Sequence, residues 1–437
     1  MAQPLLNDQR SILLIPNKAE RDSQTSLIAA CFNFINSIIG SGIIGLPYAL
    51  NQAGFPFGLL LLILVAFITD YSIILLIKGG NLSGTNTYQS LVQTSFGFPG
   101  FIIVSVLQFL YPFIAMISYS ITTGDTLTKV FQRLSGVDPD HILANRYFVI
   151  LLSTVLFTLP LSLYRNVQRL GKVSFLSMVL TLFTVIAVII RAASLGPQIA
   201  PSEDAWTFAK WNAVQAVGVM SFAFICHHNS FLIYGSLAQP TLANWQRVTH
   251  ISVGSALVIS AAFAVAGYMT FTGYTQGDIF ENYCRDDNLA TFGRLCFGLS
   301  IITTFPLECF VTREVVSNAL GQRELSNVQH MAVTTFIIVA CTAMSLAFDC
   351  LGVVLELNGV LSATPLIFIL PAACFIKLNG GRLFQKANVM PIMLIVLGVF
   401  VMITGLTMAG LNTQDCSHGV EMFYCADANV SATLGPV

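Results

Sequence analysis

The stretch CFNFINSIIGSGIIGLPYAL, residues 31–50, decides the fold class. It is apolar enough to sit in lipid, yet it packs Gly40, Gly42, Gly45 and Pro47 into one short run. Glycine loses the most backbone entropy on becoming helical and proline has no N–H, so an unbroken helix is disfavoured here. In lipid, backbone groups released from a helix must find other partners, and an unwound segment survives only where it lines a cavity. Interrupted helices of this kind form substrate and ion sites near the bilayer midplane of secondary transporters. The N–H groups of Gly40, Ser41 and Gly42 are therefore expected to face a carboxylate, aided by the dipole of the half-helix that follows. Asn36, one turn earlier, and the backbone at Ile39 would supply oxygen to a hard cation such as sodium. The competing reading is close helix packing through small residues, which calls for neither Pro47 nor Asn36.

The rest of the chain fits a membrane setting. Hydrophobic residues make up 55% of its 437 residues and charged residues only 9%, against about 25% charged in soluble domains. Mean hydropathy is +0.76. The formal charge of −1 leaves no basic field to attract nucleic acid. Ten cysteines show no metal-type CxxC pair, and no nucleophile–base set is visible, so neither an enzyme nor a cofactor is expected.

About eleven apolar runs reach the length of roughly 20 residues that a spanning helix needs. They lie near 26–51, 56–78, 99–133, 146–164, 170–192, 211–236, 248–273, 289–317, 329–348, 352–376 and 389–411. The expected fold is an all-α polytopic membrane protein. It comprises a polar tail at 1–25, a transporter domain at 26–411 and a second polar tail at 412–437. Of the Lys and Arg residues, thirteen fall on one side and seven on the other, which predicts a cytosolic N-terminus and a lumenal or extracellular C-terminus. Asn429 of Asn429-Val430-Ser431 is then a glycosylation acceptor on the correct side, and Cys416 and Cys425 are expected to pair there, the competing arrangement joining one tail cysteine to Cys284 or Cys350 over the outer mouth. Tyr88, Leu91, Val92 and Phe96 recur at helical spacing within 85–96. They predict a short amphipathic helix lying on the inner membrane surface.

The sixth run repeats the anomaly of the first. Cys226, His227, His228, Asn229 and Ser230 interrupt VGVMSFAFICHHNSFLIYGSL, and polar residues at membrane depth are costly. The sixth run opens a second group of five, as the first opens the first group. That placement predicts a five-plus-five inverted repeat with helices 1 and 6 discontinuous and an eleventh helix added. Phe224, Cys226, His227 and Asn229 are candidate substrate contacts, with Ser118 and Tyr119 of AMISYSITTGD from the third run. In GLSIITTFPLECFVTRE of the eighth run, Ser300, Thr303 and Thr304 precede Pro306, which frees the carbonyl of Ile302. These oxygens are read as sodium ligands facing the first run. Glu308 and Glu356 are acids in apolar runs, which usually mark ion paths or gates. With His228 they are candidate gating or proton-linked groups, Glu356 near the outer end.

FNFINSIIGSGIIGLPYAL (32–50), SFAFICHHNSFLIYGSL (221–237) and PLIFILPAACFIKL (365–378) resemble the sodium-coupled neutral amino acid transporters of the system A and N group. These belong to the amino acid/auxin permease branch. The resemblance implies sodium-driven symport of small neutral amino acids, with Asn36 and Thr303 or Thr304 at the sodium site. This chain departs from the pattern: it reads CHHN at Cys226–Asn229 where many members read CHPE. It also lacks the family's paired cysteines between the fifth and sixth runs. Two alternatives stand beside symport: a proton-coupled exchanger or exporter of an endolysosomal membrane, and an amino acid sensor that does not transport. The expected setting is a plasma membrane in preference to an endolysosomal one. The expected partners are a small neutral amino acid, sodium and the lipid bilayer.

Overall fold

The structure is a computed structural model, and it describes residues 26–135, 141–165, 167–322, 325–348, 350–380, 384–411 and 421–425. Both polar tails lie largely outside this set, as do Asn429 and Cys416. The described chain is helical throughout, without a strand. Among the described residues, nine helices are long and apolar enough to cross a membrane, and the bent pair Leu27–Ile38 and Gly42–Ala53 makes a tenth. Arg146–Ser162 is shorter and occupies the expected fourth position. Each apolar run thus has a helical counterpart, and the spans below carry those ordinal numbers.

The second span is Phe55–Ser83, the third Tyr88–Leu134, the fifth Val167–Leu195, and the sixth Ala213–Phe224 with His227–Ser236. The seventh is Leu242–Phe271, the eighth Asn288–Ala319, the ninth Asn327–Ala347, the tenth Leu351–Asn379 and the eleventh Lys386–Leu411. The eighth span packs against the third and fifth, while the seventh lies against the first, second and fifth. The core sits where the first, sixth and tenth spans cross. A side-chain carbon on Gly359 of the tenth span would lie 1.8 Å from the carbonyl oxygen of Gly218 in the sixth, so only glycine permits that approach.

Residues Tyr88–Phe96 precede a non-helical Gly97 with φ of 70°, which separates them from the membrane-crossing part of the third span. Their apolar side is divided, with Phe96 exposed. Tyr88, Leu91 and Val92 are buried, and Tyr88 Oη donates to the Leu366 carbonyl at 2.8 Å. The expected surface helix is instead docked on the tenth span, because its apolar side finds a protein wall before it finds lipid.

One end of the bundle carries a disulfide. Cys425 is bonded to Cys284, across a sequence separation of 141 residues. This corrects the expected Cys416–Cys425 pair: residues 421–425 fold back on the connection between the seventh and eighth spans. Tyr424 Oη donates to the Asn282 carbonyl at 2.8 Å, and Tyr424 stacks on Phe271. Cys350 is also disulfide-bonded.

Candidate functional site

The first span stops being α-helical at Ile38 and resumes as a 3-10 turn over Ser41–Gly45, then as a helix over Leu46–Ala53. Gly40 stands between them in an extended conformation, φ −107° and ψ −151°. The sixth span breaks in the same manner: Ile225 is extended and Cys226 leaves the helical region before His227 restarts the helix. Each restart exposes the N–H groups of a first helical turn.

The two breaks meet closely. A side-chain carbon on Gly42 would lie 2.6 Å from the Cα of Ala223, so Gly42 is the point where the two backbones touch. Gly40 differs: its nearest neighbour beyond the adjoining chain is the Tyr119 hydroxyl, 4.0 Å from the position of a side-chain carbon. The Gly40 N–H bonds the Ile38 carbonyl at 2.9 Å and is not offered to a ligand. The donors left free at the start of the 3-10 turn are those of Ser41 and Gly42, because i→i+3 bonding already uses the third residue, Ile43. Ile39 is buried and its N–H bonds the Ile35 carbonyl.

Tyr119 is buried between Gly40 and Phe305, whose ring centroid lies 6.4 Å from its own. Ser118 turns back on its own helix and donates to the Ala115 carbonyl at 2.7 Å. Phe224 and Cys226 are fully buried at the sixth-span break. His227 faces the second span rather than the break, its Nε2 lying 2.7 Å from Ser72 Oγ. Asn229 instead joins the two broken spans by donating to Ser37 Oγ at 2.8 Å, and it lies 3.0 Å from His228 Nε2. The His228 ring lies 5.3 Å from that of Tyr111. Glu308 interacts electrostatically with Tyr111, and its Oε2 is buried without a hydrogen bond. Tyr111 and Ser37 escaped the sequence reading, since an aromatic or a serine in an apolar run carries no signal of its own.

At the disulfide end, Tyr48 of the first span donates to Glu356 Oε1 of the tenth at 2.9 Å, both side chains buried. The pair closes the first span against the tenth above the break.

The expected sodium ligands divide. Asn36 is half-buried on the first span. Ser300 and Thr304 turn to the fifth span, with Ser177 Oγ 2.7 Å and 2.9 Å from their hydroxyls. Thr303 donates to the Ser300 carbonyl at 2.8 Å. Ile302 packs with Leu127 and Val149, a third neighbourhood again. The eighth-span hydroxyls are thus held by the fifth span, a contact the sequence reading assigned to the first.

A family model described as "Transmembrane amino acid transporter protein" matches residues 23–411. A zebrafish (Danio rerio) protein named "Putative sodium-coupled neutral amino acid transporter 11" is 67% identical, over 99% of this chain and 96% of its own. A human (Homo sapiens) protein of the same name is 59% identical over 88% and 95%. A yeast (Saccharomyces cerevisiae) protein named "Vacuolar amino acid transporter 2" is 30% identical over 92% and 86%. Among solved structures, MhsT in complex with L-phenylalanine superposes with a TM-score of 0.58 at 13% identity, over 87% of this chain and 98% of that one. At that identity the likeness speaks for the fold alone.

Proposed function

This chain belongs to the transmembrane amino acid transporter protein family, and we propose that it carries small neutral amino acids by sodium-coupled symport with alternating access. Family membership supports amino acid transport, and the helical scaffold resembles that of MhsT. The observation that carries it is the meeting of two helix breaks, with Tyr119 standing over Gly40. A carboxylate there would accept from the N–H groups of Ser41 and Gly42, while Tyr119 Oη reaches it from the third span. Helix N-termini favour such anions through oriented donors and dipole together. The names of the zebrafish and human relatives support neutral substrates and sodium.

Tyr48–Glu356 would serve as the gate at the disulfide end, and Asn229–Ser37 as a neutral link between the broken spans that re-forms in each cycle. Disulfides form in oxidising compartments, so we place the disulfide end outside the cytosol. That agrees with the Lys and Arg bias, with a cytosolic tail at 1–25 and with a glycosylated Asn429. A plasma membrane is the proposed setting.

A second reading has its own support. Glu308 keeps a buried carboxylate oxygen with no hydrogen-bond partner among the described residues, and it interacts electrostatically with Tyr111. A carboxylate placed so could carry a proton in place of sodium, and the yeast relative is named for a vacuole. Uptake of radiolabelled alanine or glutamine into proteoliposomes separates the readings. Concentrative uptake under an inward sodium gradient alone supports symport with sodium. Uptake under a proton gradient alone would replace it with proton coupling, and saturable binding without flux would make the protein a sensor.

A further inference from the structure

Below the meeting of the two breaks, on the side away from the disulfide, stands an acid without a partner. Glu308 Oε2 is buried without a hydrogen bond, and no ion pair among the described residues includes Glu308. The next basic residue on its helix, Arg313, is turned to the Ser162 carbonyl and Thr334. A carboxylate at membrane depth is costly, and such acids mark the paths of ions or substrates.

Its surroundings tie it to the breaks. Tyr111 lies within electrostatic reach of Glu308, of Tyr119 and of Cys226. One aromatic residue thus connects the acid with the tyrosine over Gly40 and with the sixth-span break. The Tyr111 ring lies 5.3 Å from that of His228 and 5.9 Å from that of Phe222. The Asn229 amide that donates to Ser37 is also 3.0 Å from His228 Nε2; that nitrogen then accepts, and the His228 ring is neutral. The acid therefore shares its level with aromatic rings and neutral groups, and no cation of the described residues balances it.

The helices give the spacing. On the third span Tyr111 is eight residues before Tyr119, about 12 Å further from the disulfide end. On the eighth span Glu308 lies three residues, about 4.5 Å, beyond Phe305, whose ring centroid is 6.4 Å from that of Tyr119. An amino acid whose carboxylate sits on the Ser41 and Gly42 N–H groups would have Glu308 one to two helical turns away, in the direction opposite to the disulfide. Alanine cannot reach across that gap, and a long side chain can. Aromatic faces attract ammonium and guanidinium groups within about 6 Å, and a carboxylate accepts their charge-assisted hydrogen bonds.

We propose that Glu308, beside Tyr111, is the subsite for a positively charged substrate side chain, so that the protein also takes amino acids of the lysine and arginine type. The inference rests on the substrate carboxylate lying between the two breaks, and it adds a class of substrate to the neutral one. A neutral amino acid leaves Glu308 unpaired, whereas a cationic one supplies the balancing charge.

The test is displacement of radiolabelled alanine from the purified full-length protein at saturating sodium, by arginine and by citrulline. The two are close in shape, and only arginine is charged. Arginine is expected to displace alanine at about tenfold lower concentration than citrulline, a difference near 1.4 kcal/mol. Glu308→Gln should bring the two concentrations together, and Glu308→Asp, which keeps the charge, should keep arginine ahead. If alanine binds and arginine displaces it no better than citrulline, the inference falls while the site between the breaks stands. An undiminished preference for arginine in Glu308→Gln would put the cation elsewhere and overturn the inference as well. If alanine itself does not bind, the reading of the site fails and takes the inference with it. The comparison of arginine with citrulline on the unaltered protein keeps the test decisive should Glu308→Gln fail to fold.

Discussion

At the disulfide end, several charges meet charges, while the buried Arg294 donates to the carbonyls of Phe280, Tyr283 and Cys284. Lys129 lies 3.0 Å from Glu281 with both side chains 8% exposed, Arg146 pairs with Asp125, and Arg191 lies 2.5 Å from Asp287. Arg285–Glu421 at 3.0 Å and the Cys284–Cys425 bond fasten residues 421–425 across the same surface. At the opposite end, beside one His250–Asp70 pair at 2.8 Å, Arg313, Arg165 and His330 meet neutral oxygens. Arg313 donates to the Ser162 carbonyl and to Thr334 Oγ1 at 3.0 Å each, and Arg165 donates to the Leu325 carbonyl at 3.0 Å. His330 lies 3.0 Å from the Leu163 carbonyl. Buried ion pairs hold one geometry, because separating the partners leaves an uncompensated charge. A guanidinium on a carbonyl can trade that carbonyl for water at little cost. In the proposed alternating-access cycle, the ion pairs and the disulfide would hold the disulfide end until the Tyr48–Glu356 contact parts.

The Lys129–Glu281 pair offers the largest test of that contrast. Lys129→Ala or Glu281→Ala strands one buried charge and should destabilise the protein by about 3–5 kcal/mol, read as a lower melting temperature and reduced surface expression. The double variant Lys129→Met with Glu281→Gln should recover most of the loss. Equal damage from single and double variants would mean that the pair is not a latch.

Next comes the disulfide. Cys284→Ser should cost about 2–4 kcal/mol, and a reductant should lower the melting temperature of the unaltered protein but not that of the variant, once Cys350 is also replaced by Ser. A melting temperature indifferent to reductant would remove the tail clasp from the account.

At the opposite end, Arg313→Lys keeps the charge but replaces the planar guanidinium whose Nη1 donates to both Ser162 and Thr334. The expected cost is smaller, about 1 kcal/mol, together with a raised transport rate if opening at that end limits the cycle. A loss as large as that of Lys129→Ala would erase the contrast between the ends.

The smallest effect concerns Asp278, which lies in the connection between the seventh and eighth spans. Burial, and then the charges of Glu281 and Asp125, push its carboxyl well above the usual carboxylate range. Folding thus favours the protonated form. Its contribution is fully present below the unfolded value of about 4 and is lost as pH rises through the raised folded value. Asp278→Asn should therefore melt higher than the unaltered protein at pH 8, with the gap closing towards pH 4. The asparagine keeps an oxygen for the Phe280 N–H that Asp278 now accepts at 2.8 Å. A gap that widens on acidification would contradict the sign.

The helical class and the sixth-span polar run could be read from the chain because Gly, Pro and polar residues are conspicuous in an apolar background. Pairings between distant segments could not. Tyr48 and Glu356 are 308 residues apart, and nothing in a linear pattern says which tyrosine reaches which acid. Ser177 and Thr181 look like any hydroxyls of a membrane helix, which ordinarily bond back to their own carbonyls; only the packing of the fifth span on the eighth gives them neighbours. The short spacing of Cys416 and Cys425 favoured a local loop over a bond to Cys284, the alternative that the contacts of Tyr424 with Phe271 make possible. Close packing through small residues, set aside for the first span as a whole, does hold at Gly42.

The central claim is that the amino acid sits between the two helix breaks. A structure determined with bound alanine or glutamine tests it most directly. The account predicts the ligand carboxylate within hydrogen-bond distance of the Ser41 and Gly42 N–H groups, with Tyr119 Oη at its side and the sixth-span break opposite. Ligand density elsewhere, with Tyr119 still closed over Gly40, would contradict it.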